Sequence, residues 1–296
     1  MSALKKNRPG PKRPNWPNGQ KPSPAEDKNF TPKKSPRTAP RLGQNPKGDG
    51  FSQDLILGFN PVRAALMARP RDCQKLYLLE SRRLSRDLLK ILELAKGHGL
   101  EVLTANRERL DGFGDRHQGL VLLAKTKIEP TFNEFLKALP LEGPGLIVFL
   151  DHLEDPHNFG ALIRSSAAFG ALGVIYPKDR SAPLSPAARM ASAGASEVLP
   201  LIKVVNPTRA VLELKRRGFW VVAAEAKLGQ DLRTFDFPER SLLIVGSEGQ
   251  GLSRSLLAQA DHLVHIHLPC PLIDSLNVSN AGAILLQAYQ TSQAKK

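Results

Sequence analysis

Apolar runs and amphipathic segments alternate along the second half of the chain. The first run, residues 145–150, reads Gly-Leu-Ile-Val-Phe-Leu and has no polar position, which is typical of a strand buried on both faces of a sheet. Further patterns follow in chain order: a helix at 161–170, a strand at 173–176, a helix at 187–193, a strand from 198 onward, a helix at 207–217 and a strand at 219–224. This alternation predicts a mainly parallel sheet with helices on both faces.

The stretch 242–289 contains two places where an apolar strand ends in a polar loop. The strand 242–245 leads into the glycine loop 246–251, and the apolar run 263–268 is followed by two prolines. Residues 274–280 form a polar turn that leads into a buried helix. Ligands of parallel sheets bind beyond the carboxyl ends of the strands, so the sequence predicts a small-molecule pocket at these corners.

Residues 54–125 have the pattern of a smaller α/β unit. Strand candidates lie at 55–57, 75–79, 102–103 and 120–124, and helix candidates begin near Pro61 and span Leu84 to Ala95. A unit of about 70 residues is large enough to be an independent domain. Residues 126–144 follow, with three prolines around a short helical piece at 132–139, and are predicted to be a linker.

The first 50 residues differ from the rest in composition. They carry twelve Lys and Arg residues against three acidic ones, and ten prolines. Such a segment buries too little apolar surface to offset the entropy of ordering it, so residues 1–50 are predicted to be a disordered basic tail. The tail would attract phosphates, and the alternative is a solubilising tail without a binding role.

The whole chain has 296 residues and a net charge of +14, which favours nucleic acid over a membrane as the partner. No apolar run approaches the roughly 18 residues that span a membrane, and the N-terminus lacks the apolar core of a signal peptide. Cys73 and Cys270 are far apart and outside any zinc-binding spacing. We therefore expect a reducing, cytoplasmic location and neither a disulfide nor a metal site.

Several chemistries are excluded by spacing. The loop 246–251 is neither a Walker loop nor a dinucleotide fingerprint, and the carboxylates of 151–155 have no accompanying histidine pair. His117, at a polar corner before a strand, is more often a hydrogen-bonded turn residue than a catalyst. Arg164 on an apolar helix must be paired or directed at an anion, and a salt bridge to Glu248 is the structural alternative.

Three motifs now appear in order along the chain. Residues 155–164 (Asp-Pro-His-Asn-Phe-Gly-Ala-Leu-Ile-Arg), 244–252 and 268–281 resemble motifs one, two and three of the SpoU (TrmH-like) RNA ribose 2′-O-methyltransferases of the SPOUT superfamily. Residues 58–62 and 117–119 resemble that family's L30e-like RNA-binding domain. The resemblance covers all but the tail, and the bacterial 23S rRNA guanosine methyltransferases, which carry both domains, look most similar.

The resemblance implies a fold that the patterns alone would not. It places an L30e-like RNA substrate-binding domain at 54–125, a linker at 126–144 and a SpoU methyltransferase domain at 145–293. Within the last domain it implies a parallel sheet tied into a deep trefoil knot. It also implies a homodimer that completes the pocket, RNA as the partner and S-adenosylmethionine as the cofactor.

Individual site residues are implied by their positions in the motifs. The positions that match cofactor contacts are Gly246, Ile266, Leu268 and Leu276. The positions that match the family's active site are Asn158, Arg164, Glu248, Ser275 and Asn277.

Methyl transfer to a ribose hydroxyl is an in-line displacement that needs alignment of the reactants and relief of charge on the oxygen. A guanidinium with a pKa above about 12 is a poor base, so we expect Arg164 to stabilise the developing alkoxide or to clamp the neighbouring phosphate. In this interpretation Glu248 orients Arg164, and Asn158 holds the ribose.

Two departures from the family pattern stand near the third motif. The segment 270–274 is slightly shorter than in relatives and contains Pro271, which could reshape the methionine end of the pocket, and Asn280 replaces a small apolar residue.

Two alternative functions stay open: a tRNA ribose 2′-O-methyltransferase, and a non-catalytic RNA-binding or ribosome-assembly protein. The presence of all the motif polar groups argues against the second.

Overall fold

The protein is described by a computed structural model that covers residues 33–34, 53–114, 116–179, 181, 184–247, 249, 251–270 and 272–296. Its strands are β1 (Lys33–Lys34), β2 (Gln53–Leu57), β3 (Cys73–Leu79), β4 (Glu101–Ala105), β5 (Leu120–Lys125), β6 (Gly145–Leu150), β7 (Gly173–Pro177), β8 (Leu201–Val204), β9 (Trp220–Ala224), β10 (Gln230–Asp231), β11 (Arg240–Val245) and β12 (His262–His265). Its α-helices are α1 (Phe59–Ala68), α2 (Arg86–Gly97), α3 (Arg107–Asp111), α4 (Phe132–Ala138), α5 (Pro156–Ala168), α6 (Pro186–Ala191), α7 (Ala195–Val198), α8 (Pro207–Arg216), α9 (Arg254–Leu257) and α10 (Val278–Gln293).

The first sheet has the strand order β1-β4-β3-β5-β2. β3 runs parallel to β4 and antiparallel to β5, and β2 is antiparallel to β5. Alternate residues of β3 point to opposite faces, so Leu76 joins a core with α1 and α2, while Tyr77 joins a smaller one with Leu110 of α3. These elements confirm the α/β pattern expected for this part of the chain.

The second sheet has the strand order β10-β12-β9-β11-β6-β7-β8, and every pair in it is parallel. β6 lies near its centre and is buried on both sides: Val148 faces a core with α5 and α10, and Phe149 faces a core with α4, α8 and α9. The predicted parallel sheet between two helix layers is confirmed. The helix α4, in the predicted linker, packs on this sheet through Phe135 and Leu136.

Several predicted boundaries were wrong. Helix α1 begins at Phe59, two residues before Pro61, because proline is tolerated within the first helical turn, where backbone N–H groups lack partners. Helix α5 begins at Pro156 instead of residue 161. Residues 195–198 form the short helix α7, and the strand starts only at Leu201.

The apolar run 263–268 predicts a longer strand than the structure shows. β12 ends at His265, where its pairing with β10 also ends. Ile266 and Leu268 therefore lie in the loop that follows the strand. Of the predicted tail, Lys33–Lys34 pair in parallel with β4, and the disorder expected for residues 1–50 falls otherwise outside the described residues.

The two sheets are joined by a buried polar contact. Arg69 of the first unit contacts Glu197 of α7, with 2.8 Å between Nη2 and Oε2, and both side chains are largely buried. Lys127 donates from Nζ to the carbonyl oxygens of Ser196 and Leu199, at 2.7 and 3.2 Å. Residues 33–296 accordingly form one compact unit.

Candidate active site

Four loops meet at one edge of the second sheet. Because β12, β9, β11 and β6 are adjacent and parallel, the loops that follow them leave from the same side. The loops after β9 and β12 touch through Lys227, whose Nζ lies 2.9 Å from Asp274 Oδ1. The glycine loop after β11 and residues 151–155 after β6 lie beside them. The expected corner of loops is therefore present.

Asp151 ties two of these loops together. It is fully buried at the end of β6, and its Oδ2 accepts a hydrogen bond of 2.7 Å from the backbone N–H of Ser253. In the sequence, this carboxylate has meaning only as part of the cluster 151–155, which lacks the histidine pair of a metal site. Its connecting role was missed, although a lone carboxylate directly after a fully apolar strand is the signal that could have revealed it.

The N-terminus of α5 is fixed by its own capping residue. The side chain of Asp155 accepts hydrogen bonds of 3.1 Å from the N–H groups of His157 and Asn158. Asn158 thus stands in the first helical turn, and not in the preceding loop as expected. An aspartate with proline after it is a strong helix start, which is why the helix begins here.

The N-terminus of α10 meets α5 at this point. Asn277 caps α10 by accepting a 2.9 Å hydrogen bond from the N–H of Ser279. Its Nδ2 donates to Asn158 Oδ1 at 3.1 Å, which joins two predicted site residues from different motifs. Two helix N-termini, each with partial positive charge, therefore converge here and favour an anionic or electron-rich ligand.

The glycine loop after β11 is closed by its own backbone. Ser247 and Gly251 exchange backbone hydrogen bonds of 3.2 and 3.1 Å. A Cβ on Gly246 would lie 2.5 Å from the carbonyl carbon and oxygen of Gly251, so only glycine fits there. Glu248 lies outside the described residues, so its predicted position beside Arg164 is not observed.

A cavity of about 390 Å³ lies between α5, the glycine loop and α10. It is lined by Asn158 of α5, by Val278 at the start of α10 and by loop residues that include Ser247, Gly251 and Ser253. This volume is within the range of small-molecule sites. None of the predicted cofactor contacts is among the described residues that line this cavity.

The other predicted residues lie as follows. Arg164 is exposed on α5, six residues beyond Asn158. Ser275 is exposed in the loop between β12 and α10. Ile266 packs partly against the core, and Leu268 and Leu276 are half-buried in the same loop. The structure thus joins Asn158 with Asn277 by a hydrogen bond, places Arg164 further along α5, and leaves Ser275, Ile266, Leu268 and Leu276 in the loop between β12 and α10.

His117 has the structural role expected of it. Its Nδ1 accepts a 2.8 Å hydrogen bond from the N–H of Gly119, and its Nε2 lies 2.8 Å from Asp111 Oδ1. Both ring nitrogens are therefore occupied in holding the turn before β5.

No described helix is both long enough and apolar enough to cross a bilayer.

Comparison with known families and proteins agrees with this geometry. Residues 145–287 match the model of the SpoU rRNA methylase family, and residues 55–130 match that of an RNA 2′-O ribose methyltransferase substrate-binding domain. A 23S rRNA (guanosine-2′-O-)-methyltransferase RlmB of Ralstonia nicotianae is 37% identical over 235 residues, which are 78% of this chain and 93% of the relative. The chain belongs to the SpoU rRNA methylase family.

Other comparisons agree with this family assignment. An RlmB of the same description from Pseudomonas syringae pv. tomato is 35% identical over 248 residues, covering 82% of this SpoU chain and 98% of the relative. The SpoU methyltransferase AviRb from Streptomyces viridochromogenes, solved with AdoMet, has a TM-score of 0.66 at 23% identity, covering 82% of this chain and 92% of AviRb. The structural likeness shows that this chain and AviRb share the same fold.

Proposed function

We propose that this protein transfers a methyl group from S-adenosylmethionine to the ribose 2′-hydroxyl of a guanosine in 23S rRNA. Its similarity to RlmB proteins extends over almost their whole length. The observation that carries the proposal is the hydrogen bond between Asn158 and Asn277, which brings the first and third motifs together beside the glycine loop. A scaffold protein would have no need of this polar junction at the edge of its sheet.

The residues at this edge fit S-adenosylmethionine. Gly246 stands where a Cβ would strike the backbone, so this loop can bring its amide groups close to a ligand. Ile266, Leu268 and Leu276 supply backbone groups and partly buried apolar side chains for an adenine and a methionine chain. When bound, the cofactor supplies an electrophilic methyl group on a sulfonium.

The chain's own residues act on the RNA. Arg164, exposed on α5, stabilises the negative charge that develops on the ribose oxygen or clamps the adjacent phosphate. Asn158, held by Asn277, positions the ribose. Ser275 lies in the loop that leads into α10, two residues before Asn277, and Glu248 is assigned the role of orienting the guanidinium. The hydroxyl proton passes to solvent water as the oxygen is methylated, so Arg164 is not required to act as a base.

The deep knot belongs to the same proposal. The chain leaves β12, which lies beyond β9 in the sheet, and returns to α10, which packs on α5 above β6. The loops that follow β11 and β12 leave the sheet at the same edge, which supports threading of the chain there. The boundaries 54–125, 126–144 and 145–293 are proposed as the substrate-binding domain, linker and methyltransferase domain.

A homodimer in the cytoplasm completes the proposal. Ile284 is 41% exposed on α10, which leaves an apolar side chain on a helix next to the site. A second copy of the chain would cover it and complete the cofactor pocket. Sedimentation of the purified protein at micromolar concentration is expected to give twice the mass of one chain, and a monomer with full activity would contradict this.

Mapping of ribose methylation tests the proposed substrate. Cells that lack the protein are expected to lose one 2′-O-methylguanosine in 23S rRNA and to regain it with the wild-type chain but not with Arg164→Ala. Loss of a tRNA methylation instead would identify the alternative enzyme. Calorimetry with S-adenosylmethionine tests the non-catalytic alternative. A folded protein that shows no detectable binding of the cofactor would contradict the proposed methyltransferase activity.

A further inference from the structure

A second cleft, of about 590 Å³, lies between the first sheet and helix α6. One wall carries the side chains of Arg82, Arg107 and Arg116, and the other includes Met190 of α6. Among the described residues that line it, none carries a carboxylate. We propose that this cleft binds a nucleotide of the substrate RNA, with its phosphate held by the arginines. The inference rests on the proposed function.

Arg82 and Arg107 keep most of their charge available for an anion. Arg82 stacks over the ring of Phe59, with 4.6 Å from its Cζ to the centroid, and is hydrogen-bonded to the carbonyl oxygen of Gln118. A guanidinium held in this way loses little further freedom when it binds a phosphate. Arg107 lies 3.7 Å from Asp111, but both side chains are well exposed, so this ion pair is weak and leaves most of the charge available.

The turn between these arginines has an unusual backbone. Gln118 has a φ of 51°, which is uncommon for a residue other than glycine, and the next residue, Gly119, also has a positive φ. His117 holds this turn through Asp111 and Gly119. Strained backbone that neighbouring contacts enforce is concentrated at binding sites.

The lining also offers groups for a base. The amide side chains of Asn60 and Gln118 lie beside the apolar side chains of Leu57 and Leu79. Amides can pair with the edge of an unstacked base, and apolar side chains can lie against its face. A cavity of about 590 Å³ has room for one nucleotide. Arginines, amides and an apolar floor together favour RNA over a purely anionic partner.

The far wall couples the cleft to the methylation site. Helix α6, which carries Met190, packs against α5 at Gly160, where a Cβ would lie 2.4 Å from Ala188 O. Helix α5 in turn carries Asn158 and Arg164. Contact between Gly194 and Asn60, where a Cβ would lie 2.8 Å from the Asn60 carbonyl oxygen, fixes the two walls. RNA held in the cleft would therefore sit at a fixed offset from Asn158 and Arg164.

The test is binding of protein-free 23S rRNA at several salt concentrations. Arg82→Gln and Arg116→Gln are each expected to weaken binding about tenfold, and each to lower the slope of log K against log salt by about 0.7 to 0.9, the loss of one phosphate contact. Met190→Glu, on the α6 wall, is expected to weaken binding by charge repulsion. The matched control is Arg209→Gln on α8, which packs on the opposite face of the second sheet from α5.

The outcomes separate this inference from the proposed function. Unchanged S-adenosylmethionine affinity and melting temperature in each variant, together with weaker rRNA binding, would support the cleft. If the wild type binds and methylates rRNA and all three cleft variants match Arg209→Gln, the cleft inference is wrong and the proposed function stands. If Met190→Glu alone behaves like the control, α6 does not form part of the site and the coupling to α5 is wrong. A wild type that neither binds nor methylates rRNA overturns both.

Discussion

Arg164 is the residue on which the proposed chemistry depends most. It is exposed on α5, and its predicted neighbour Glu248 lies outside the described residues, so its role must be tested by substitution. Lysine keeps the charge but lacks the planar fork of donors. Arg164→Lys is expected to lower the single-turnover rate of methyl transfer by about 10² or more, as loss of a preorganised donor to a developing oxyanion does.

The measurement uses saturating S-adenosylmethionine with a labelled methyl group and 23S rRNA, and RNA affinity is measured in parallel. Arg216→Lys is a suitable control, because Arg216 is exposed on α8 and pairs only weakly with Glu213 on the surface. Near-normal turnover of Arg164→Lys with intact RNA binding would contradict the proposed role.

The two cysteines give a separate test at the residue scale. Burial raises the pKa of the Cys73 thiol from 9.0 to about 11, whereas Cys270 is exposed in the loop between Leu268 and Leu276. Only the thiolate is alkylated, and at pH 8 a thiol with a pKa near 11 is about 0.1% ionised. Iodoacetamide is therefore expected to label Cys270 first, and labelling of Cys73 should speed up about tenfold per pH unit below pH 11.

Saturating S-adenosylmethionine should slow the labelling of Cys270 and leave that of Cys73 unchanged. Peptide mass spectrometry over time distinguishes the two sites. Equal rates of Cys270 labelling with and without the cofactor would contradict cofactor contacts at Leu268 and Leu276.

Residue types in the site could be predicted, but their contacts could not. The motif positions identified Asn158 and Asn277, yet their hydrogen bond joins residues 119 positions apart. Spacing in sequence carries no information about such a contact until the sheet places α5 beside α10. The link from Asp151 to Ser253, which follows the glycine loop, was missed for the same reason.

At the scale of elements, the packing of α5 on α6 depends on one glycine. A Cβ at Gly160 would lie 2.4 Å from Ala188 O and 2.6 Å from Ala191 Cβ. Alanine is the better helix former by about 1 kcal/mol, but overpacking costs typically 1–3 kcal/mol. Gly160→Ala is therefore expected to lower the free energy of unfolding by about 1 kcal/mol and to reduce methyl transfer, because α5 must shift.

Gly97→Ala at the end of α2 is the matched control. A Cβ there would meet nothing within 4 Å, so the change should be neutral or slightly stabilising. Urea unfolding curves of both variants give the comparison. A Gly160→Ala protein as stable and active as Gly97→Ala would show that this helix contact tolerates a methyl group.

Predictions of elements succeeded where pattern and capping agree. Six apolar residues without interruption predicted β6, and its burial on both faces follows from the two helix layers. Predictions failed where tertiary context decides: α7 has only four residues, and β12 stops where its neighbour β10 stops. Neither of these two limits is encoded in local hydrophobic periodicity.

For the whole molecule, the pattern predicted two sheets but not how they are joined. The joint depends on Arg69 and Glu197, two charged residues 128 positions apart, and on their neighbours Asp54 and Arg189. Charged residues are normally expected at the surface, so a sequence reading cannot foresee their burial. The two walls of the proposed RNA cleft belong to the two parts of the chain that this contact joins. A rigid contact between Arg69 and Glu197 therefore keeps the two walls in a fixed position around the RNA.

Substitution of Arg69 tests that joint. Its side chain and that of Glu197 are 9% and 2% exposed, and loss of one partner leaves a buried charge less well compensated. Because Arg189 still lies 3.4 Å from Glu197, Arg69→Met is expected to cost about 3 kcal/mol, the low end for a broken buried pair. Arg216→Met, which removes an exposed ion pair, should cost less than about 1 kcal/mol.

Urea unfolding followed by circular dichroism and by tryptophan fluorescence should show one transition in the wild type. This single unfolding transition should separate into two transitions in Arg69→Met, because the first sheet can then unfold before the second. The same variant is expected to bind 23S rRNA more weakly even though Arg69 does not line the cleft. If Arg69→Met unfolds in a single step with no larger loss than Arg216→Met, the buried pair does not hold the sheets together, and the fixed offset between the RNA cleft and Arg164 loses its physical basis.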